Sequence, residues 1–383
     1  WTIPQEWNVK QAYVEDKFKK KIIDIKKNNL HLIGYSTPCN FYLKKKELLS
    51  RIYSIKQKPN AIPYVTSYYN KFWGFCDTYQ NREKIINYYS DEDRFFVKID
   101  SSFKKKGNLT YGELVIPGQS SQEILISTYI CHPEMANNEL SGPMVAIALA
   151  KYFQKKKNKK TLRFLFIPET IGSIAYINKN LNALKNKVIA GYVLSCIGDE
   201  RSYSFLPTKY GNTISDRAAA EAFKKLKLKY KKFSFLERGS DERQFNSPGV
   251  DLPIASILRT KYGKYPEYHT SLDNFTLVTR KGLGGGFNIA KNAIEIIMNY
   301  ILPISKYMCE PQLKKKRLYE ELGVAKNTEL QKLSRNILDF LQYSDGKNNI
   351  SDISKFIKCS HNKTYGIYKL LLDNKLLIND KNE

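Results

Sequence analysis

Between residues 120 and 300, apolar runs of strand length alternate with patterns of helical spacing. This alternation predicts strands over residues 123–131, 161–167, 188–197 and 252–258. It also predicts helices over residues 142–154, 172–184, 218–228 and 284–300. Parallel strands need crossover connections, which are usually helices, so the order indicates an α/β fold. We expect a mostly parallel mixed sheet that is flanked by helices on both faces.

The regions on either side of this α/β core have a different pattern. Residues 1–118 are rich in β-branched and aromatic runs, which predict a β-rich accessory domain set into or against the α/β domain. The α/β domain is assigned to residues 119–308. Residues 309–383 carry three short helical patterns, at 329–343, 351–357 and 361–374, with a turn at Asp345-Gly346. Three short helices with a terminal strand-like piece predict a winged helix.

Composition narrows the functional classes. Hydrophobic residues make up 42% of the 383 residues, which is typical of a globular protein. The net charge of +26 comes mostly from lysines spread through the chain, so it does not favour a dedicated nucleic-acid surface. The six cysteines are scattered without a CxxC pair, which predicts reduced thiols in a cytoplasmic protein. No apolar run approaches the length of a membrane span, so no membrane partner is expected.

Polar residues with metal-binding chemistry follow several of the predicted strands. His132, one of four histidines in the chain, comes directly after the strand at 123–131, and Glu169 follows the strand at 161–167. His269 comes after the last predicted strand of the sheet. Parallel strands end at one edge of a sheet, where open α/β sheets bind ligands. Histidine and carboxylate side chains at such an edge form a ligand set for zinc.

Four phrases, HPEMANNELSG, PETIGS, SDERQF and YHTSLD, carry a resemblance in this order. They resemble a bacterial aminopeptidase-like family of unassigned function, which couples a zinc-aminopeptidase fold to a carboxyl-terminal winged helix. That family is itself similar to the co-catalytic zinc aminopeptidases and, more distantly, to glutaminyl cyclase. The resemblance covers nearly the whole chain and implies a zinc-dependent hydrolase.

The resemblance carries over residue by residue. It implies that His132 and His269 are metal ligands and that Glu169 takes the place of a catalytic base or a ligand. The bridging aspartate of the zinc aminopeptidases is replaced by Asn138, with Glu139 next to it. Another family ligand, also an aspartate, is replaced by Ser195, and Asp199 follows four residues on. Neutral residues at two ligand positions imply one zinc per chain, held by the histidines and a carboxylate, with Asn138 and Glu139 as further candidate ligands.

Substrate-binding residues are expected in two of these phrases. Arg243 is suited to hold a substrate carboxylate, while Asp241 or Glu242 is suited to receive an amino group. An internal ion pair among the three residues is the competing interpretation. Tyr268 belongs to a loop of glycine, proline and tyrosines directly before His269, and it is a candidate for stacking against the substrate.

These observations favour a metal-dependent hydrolase of an amide bond, most simply an aminopeptidase, in which one zinc activates a water and Glu169 moves its proton. Two alternatives stay open. The first is an amidase or deacylase that acts on a non-peptide substrate such as an acylated amino sugar. The second is a catalytically impaired binding protein that uses its winged helix for docking. A peptide or other amide is the expected partner, nucleic acid is an alternative that is not favoured, and a homo-oligomer is compatible with the sequence.

Overall fold

The computed structural model describes residues 1–319 and 328–378. The strands in these residues are β1 (Glu6–Glu15), β2 (Lys21–Asp24), β3 (Cys39–Lys44), β4 (Ile52–Tyr53), β5 (Phe75–Cys76), β6 (Arg94–Lys104), β7 (Gly112–Ile116), β8 (Ser120–Tyr129), β9 (Lys160–Ile167), β10 (Val188–Leu194), β11 (Ser204–Leu206), β12 (Lys231–Lys232) and β13 (Ile254–Leu258). The helices are α1 (Lys45–Leu49), α2 (Tyr79–Tyr88), α3 (Ser141–Gln154), α4 (Ile171–Lys187), α5 (Ile214–Lys225), α6 (Glu242–Phe245), α7 (Arg280–Asn299), α8 (Glu329–Gln342), α9 (Ile350–Phe356) and α10 (His361–Asp373). None of these helices has the length and apolar character that crossing a bilayer requires.

The amino-terminal region forms its own antiparallel sheet, in the order β2-β1-β6-β3. Alternate residues of β6 point into a core, so that Phe95, Val97 and Ile99 are buried. This pattern is expected for a sheet that covers a core with one face only. Leu48 of α1 and Ile85 of α2 close the same core. The accessory region therefore has a hydrophobic core separate from that of the α/β region.

A mixed seven-stranded sheet, in the order β12-β11-β13-β10-β8-β9-β7, is the centre of the molecule. Its four inner strands, β13, β10, β8 and β9, run parallel to one another. β7 and β11 are antiparallel to their inner neighbours. β8 is buried along almost its whole length, as expected for a strand covered on both faces. The predicted mixed α/β architecture is confirmed.

Helices cover both faces of this sheet. On one face, α3, α5 and α7 pack on alternate strand residues such as Ile126. On the other face, α4 and α6 pack on the intervening residues, Leu125 among them. Residues that are neighbours in β8 thus belong to two different cores, because side chains alternate across a strand.

The limits of the predicted domains remain a prediction, but strand pairing adds one fact about them. β7 comes from the end of the segment assigned to the accessory domain, residues 1–118, and it pairs with β9 over residues 112–116. The edge of the seven-stranded sheet is therefore formed by the stretch that leads out of the accessory region.

The predicted winged helix is confirmed. α8, α9 and α10 lie within one residue of the predicted helices. The segment at 303–306 joins this domain by strand bridges from Ile304 to Asp345 and from Ser305 to Leu377. Arg217 of α5 reaches Asp352 of α9 at 3.3 Å, so that an ion pair also links the two domains.

Candidate metal centre and substrate cavity

The carboxyl ends of β8 and β9 bring two of the predicted site residues together. β8 ends three residues before His132, and only Pro168 separates β9 from Glu169. Because the strands are parallel neighbours, both side chains emerge at the same edge of the sheet. His132 Nε2 lies 3.5 Å from a carboxylate oxygen of Glu169.

His269 reaches the same place from the loop after β13. Its ring centroid lies 5.5 Å from that of His132, and the Tyr64 ring lies 5.2 Å from each of the two. The His269 carbonyl oxygen accepts a hydrogen bond from the Tyr64 N–H at 2.9 Å, so the accessory region fixes this loop. His269 has a left-handed backbone, with φ 56°, which is strained for a residue other than glycine. The fold therefore holds the two imidazoles side by side.

Glu139 fixes the orientation of the His132 ring. One of its oxygens lies 2.9 Å from His132 Nδ1, and the other accepts the backbone N–H of Cys131. Both oxygens are thus engaged, and His132 presents its Nε2 to Glu169. A carboxylate behind a ligating histidine is the usual arrangement around metals, since it sets the tautomer and the ring plane. Glu139 was predicted to be a metal ligand, whereas this geometry favours a role in positioning the His132 ring.

Asn138, the other candidate ligand in this turn, makes internal contacts. Its side-chain oxygen accepts a hydrogen bond from Tyr129 Oη at 3.1 Å and lies 3.7 Å from Cys196 Sγ. Its side-chain nitrogen is buried, with no partner among the described residues. Asn138 belongs to a π-helical turn over Ala136–Leu140, which Asp273 holds by accepting the N–H groups of Asn137 and Asn138.

The loop after β10 carries Ser195 and Asp199, the two residues compared above with an aspartate ligand of the zinc aminopeptidases. Ser195 is buried there, with 1% of its surface exposed. Asp199 accepts hydrogen bonds from the side chain of Asn137 at 3.2 Å and from the N–H and hydroxyl of Thr260 at 2.8 and 2.6 Å. Asp199 therefore ties three loops of the sheet edge together.

Burial and neighbouring charges shift the pKa values of the ionisable groups at this edge in different directions. Burial lowers the pKa of His132, but the hydrogen bond to Glu139 and the charge of Glu169 outweigh it, and the pKa lies above its ordinary value. Burial, with the His132 charge, lowers the pKa of His269 to about 4, so His269 is neutral at pH 7. Burial raises the pKa of Glu169 despite the opposing charge of His132. A neutral imidazole beside a carboxylate is the form in which these groups bind a metal.

Two of the predicted substrate-binding residues have carboxylates that are buried in the protein interior. Asp241 accepts hydrogen bonds from the Thr170 N–H at 2.7 Å and from Ser173 Oγ at 2.8 Å. Glu242 accepts one from Tyr262 Oη at 2.8 Å and others from the backbone of residues 239 and 240. Both residues are 0% exposed. Their contacts fit a role in supporting the loop that presents Glu169.

Arg243 and Tyr268 lie nearer the site. Arg243 Nη2 donates to Thr170 Oγ1 at 2.5 Å, and the side chain lines a cavity that Glu169 also lines. Tyr268 stacks on His269, with ring centroids 3.9 Å apart and planes 17° apart. No ion pair joins Arg243 to Asp241 or Glu242, so the structure does not support the internal pair that competed with the substrate-binding interpretation.

The cavity in front of His132 has a volume of about 1070 Å³. One side consists of the loops after β8 and β9. Another part of the lining, which we call the aromatic wall, is formed by residues of the accessory region, namely Trp7, Tyr35, Tyr64, Tyr68 and Tyr69. None of these residues was predicted from the sequence to belong to the site. The aromatic phrase at residues 62–69 was the available signal, but a strand of a separate core explains such a phrase equally well.

The residues at this edge fit a zinc ion. His132 Nε2 and Glu169 lie together beside His269, and His269 Nε2 is buried without a hydrogen-bond partner among the described residues. An unpartnered imidazole nitrogen in a buried position is costly, and a metal would satisfy it. Cys131 is a further candidate donor, since its sulfur lies with donor atoms of His132 and Glu139 within 4.8 Å of one another, a group that contains neither Glu169 nor His269.

Comparison with protein families gives two matches. Residues 1–300 match a domain of unknown function, DUF4910. Residues 303–379 match a winged helix-turn-helix family. A protein of Clostridium acetobutylicum is 38% identical over 355 residues, which make up 92% of this chain and 80% of that protein. It is provisionally described as a polysaccharide biosynthesis protein with an aminopeptidase-like domain.

Solved structures extend the comparison. A provisionally assigned peptidase of Clostridium acetobutylicum is 36% identical, with a TM-score of 0.76 over 99% of this chain and 84% of that one. A zinc aminopeptidase of Bacillus subtilis is 11% identical, with a TM-score of 0.54 over 76% of this chain and 84% of that one. An M28 peptidase precursor of Shewanella amazonensis is 12% identical, with a TM-score of 0.53 over 80% and 84%. At 11 and 12% identity, the last two show that the fold is shared.

Proposed function

This chain belongs to the DUF4910 family, whose function is unknown, and from this premise we propose that it is a zinc-dependent hydrolase of an amide bond. The aminopeptidase-like fold supports a peptidase-like chemistry. The observation that carries the proposal is the buried, unpartnered Nε2 of His269 next to the His132–Glu169 pair.

His132 and His269 would hold one zinc ion, with Glu169 either as a third ligand or as the base beside it. Zinc at such a site would supply a Lewis acid for the substrate carbonyl and lower the pKa of a water. Glu139 holds the His132 ring with Nε2 toward the site. Asp241 fixes the backbone of Thr170, the residue after Glu169, whose φ of 62° is left-handed. These contacts preorganise the site, so little rearrangement is needed when substrate binds.

Glu169 is the proton carrier of the proposal if it is not bound to the metal. Burial raises its pKa, which makes it a better base than an exposed glutamate. It takes a proton from the water that adds to the amide carbon. It then passes that proton to the nitrogen as the C–N bond breaks, which leaves an amine and a carboxylic acid, and the acid then gives its proton to the amine.

Elemental analysis of protein purified without chelator tests the proposal. We expect one zinc per chain in the wild type and loss of zinc in both His132→Ala and His269→Ala, together with loss of amide hydrolysis. His361→Ala, on the exposed start of α10, is the matched control and should keep both. Hydrolysis that persists in metal-free protein would refute the mechanism.

A second candidate is an amidase or deacylase that acts on an acylated amino sugar. The aromatic wall favours it, because aromatic faces supply flat apolar surface. The description of the Clostridium acetobutylicum relative points in the same direction. Parallel assays with dipeptides and N-acyl amino sugars separate the two, and turnover of the sugars alone would favour the deacylase.

We propose that the winged helix serves as a docking unit. Nucleic acid is not favoured as its partner, since α10 carries Lys363 and Lys369 but no arginine to read guanine. A cytoplasmic location is proposed from the six cysteines, all of which are free thiols.

A further inference from the structure

Arg243 lines the cavity and forms no direct ion pair among the described residues, although its charge counteracts the rise that burial causes in the pKa of Glu169. Its guanidinium makes one hydrogen bond, from Nη2 to Thr170 Oγ1, and its Nε is buried with no partner among the described residues. It lines the cavity together with Glu169 and Thr170. Arg243 is half-buried, with its Nε buried and further guanidinium donors unused, so an anion that enters the cavity is favoured there.

The carboxylates near Arg243, apart from Glu169, are engaged or lie outside the cavity lining. Asp241 and Glu242 are 0% exposed and do not line the cavity; Glu242 accepts hydrogen bonds through both oxygens, and Asp241 through one, while its other oxygen is buried without a partner among the described residues. One oxygen of Glu139 contacts His132 Nδ1, and the other accepts the backbone N–H of Cys131. Of the carboxylates that line the cavity, only Glu169 stays available, and the proposed chemistry uses it. The cavity therefore offers a cation for an anion but no spare carboxylate for the free amino group of a peptide.

We propose that Arg243 binds a carboxylate of the substrate, so that the site takes acidic amides such as N-acyl amino acids rather than peptides with a free amino group beside the scissile bond. This inference rests on the proposed amide hydrolysis and names its substrate class. The planar guanidinium matches a carboxylate in two parallel hydrogen bonds. The aromatic wall lines the same cavity and accommodates a ring on the same substrate.

Binding to the full chain without zinc tests this inference apart from catalysis. N-acetyl-L-phenylalanine and its carboxamide differ only in the charge near Arg243, and calorimetry measures the affinity of each. We expect the acid to bind about 10- to 100-fold more tightly than the amide, the range for one desolvated charge-assisted contact. Arg243→Met should remove this preference, while Arg243→Lys should restore part of it.

Two further variants make the result interpretable. Arg335→Met removes the same charge from the exposed face of α8 and should leave the preference intact, which excludes a general effect of the net positive charge. Thr170→Val keeps the side-chain shape but removes the acceptor for Arg243, and it should weaken binding of the acid about 3- to 10-fold. It serves in place of Arg243→Met if that variant does not fold.

Each result of these binding and hydrolysis experiments either upholds or overturns the proposed role of Arg243. Equal affinity for acid and amide, no binding of either, an equal loss of both in Arg243→Met, or tighter binding of inorganic phosphate than of acetate would overturn the inference. An acid preference that depends on Arg243, in a protein that hydrolyses no amide even with zinc, would uphold the inference while the proposed function fails. Hydrolysis without an acid preference would overturn the inference alone.

Discussion

The carboxyl edge of the seven-stranded sheet and the winged helix differ in what they bury. At the sheet edge, Glu139, Asp241 and Glu242 are buried carboxylates, and Thr170 and His269 have left-handed backbones. In the described part of the winged helix, the buried polar side chains are uncharged ones that can be satisfied by single hydrogen bonds: Ser334, Ser344, Asn349 and Thr364.

This difference is one of cost in free energy. Burying a carboxylate without a paired cation costs free energy, and so does a left-handed residue other than glycine. Such costs persist where function requires them, because selection for stability alone would remove them. The described residues of the winged helix bury no charged side chain, although Arg317, Lys358 and Lys375 there have left-handed backbones, so the buried carboxylates are what distinguishes the two regions.

Replacing the proposed proton carrier should produce the largest effect in this comparison. Glu169→Gln keeps the shape of the side chain but cannot take a proton, so we expect kcat to fall about 100- to 10,000-fold. The zinc content distinguishes its roles: a base leaves the metal in place, whereas a ligand loses it. Glu134→Gln, at an exposed position in the loop after β8, is the control and should keep full activity. Unchanged kcat in Glu169→Gln would remove this residue from the chemistry.

The carboxylate behind His132 should have an intermediate effect. Glu139→Gln keeps one acceptor but loses the charge that holds the His132 ring, so we expect zinc affinity to fall about 10- to 100-fold. Competition with a chromophoric chelator measures the change, and Glu237→Gln on an exposed turn is the control. A loss far beyond this range would make Glu139 a direct ligand, and no loss in a folded variant would contradict its positioning role.

The ion pair between the α/β region and the winged helix should have the smallest effect on stability and activity. Arg217→Met removes the ion pair to Asp352, and we expect the free energy of unfolding to fall by no more than about 1 kcal/mol, with kcat/KM unchanged. Arg335→Met breaks a pair within α8 and serves as the control. A change of kcat/KM in Arg217→Met alone would show that the winged helix influences the sheet edge.

Most of the fold could be predicted from the sequence because its signals are local. The helical spacing from residue 284 to residue 300 gives α7, and the three patterns after residue 328 give the winged helix almost to the residue. β11 and β12, with three and two residues, were not predicted. Strands this short carry too few side chains for an alternating pattern, and their pairing with distant residues decides them.

The site could be predicted only in part. His132, Glu169 and His269 were chosen as residues that follow apolar strands, and the topology brings them together. The aromatic wall could not be predicted, since Tyr35 and Tyr68 are more than 60 residues from His132 in sequence and belong to another core region. The phrase SDERQF named three candidate residues, but the direction of each side chain depends on the fold.

The sequence by itself determined which residue types leave the sheet edge, because strand ends and their periodicity are properties of neighbouring residues. Only the tertiary structure decided which groups remain free. Glu242 is satisfied by backbone groups and hydroxyls, whereas Asp241 retains one buried oxygen, and Arg243 and His269 each one buried nitrogen, without a partner among the described residues. Whether a polar atom finds a partner depends on segments that are distant in the chain, so three adjacent residues of one phrase, Asp241 to Arg243, meet different surroundings.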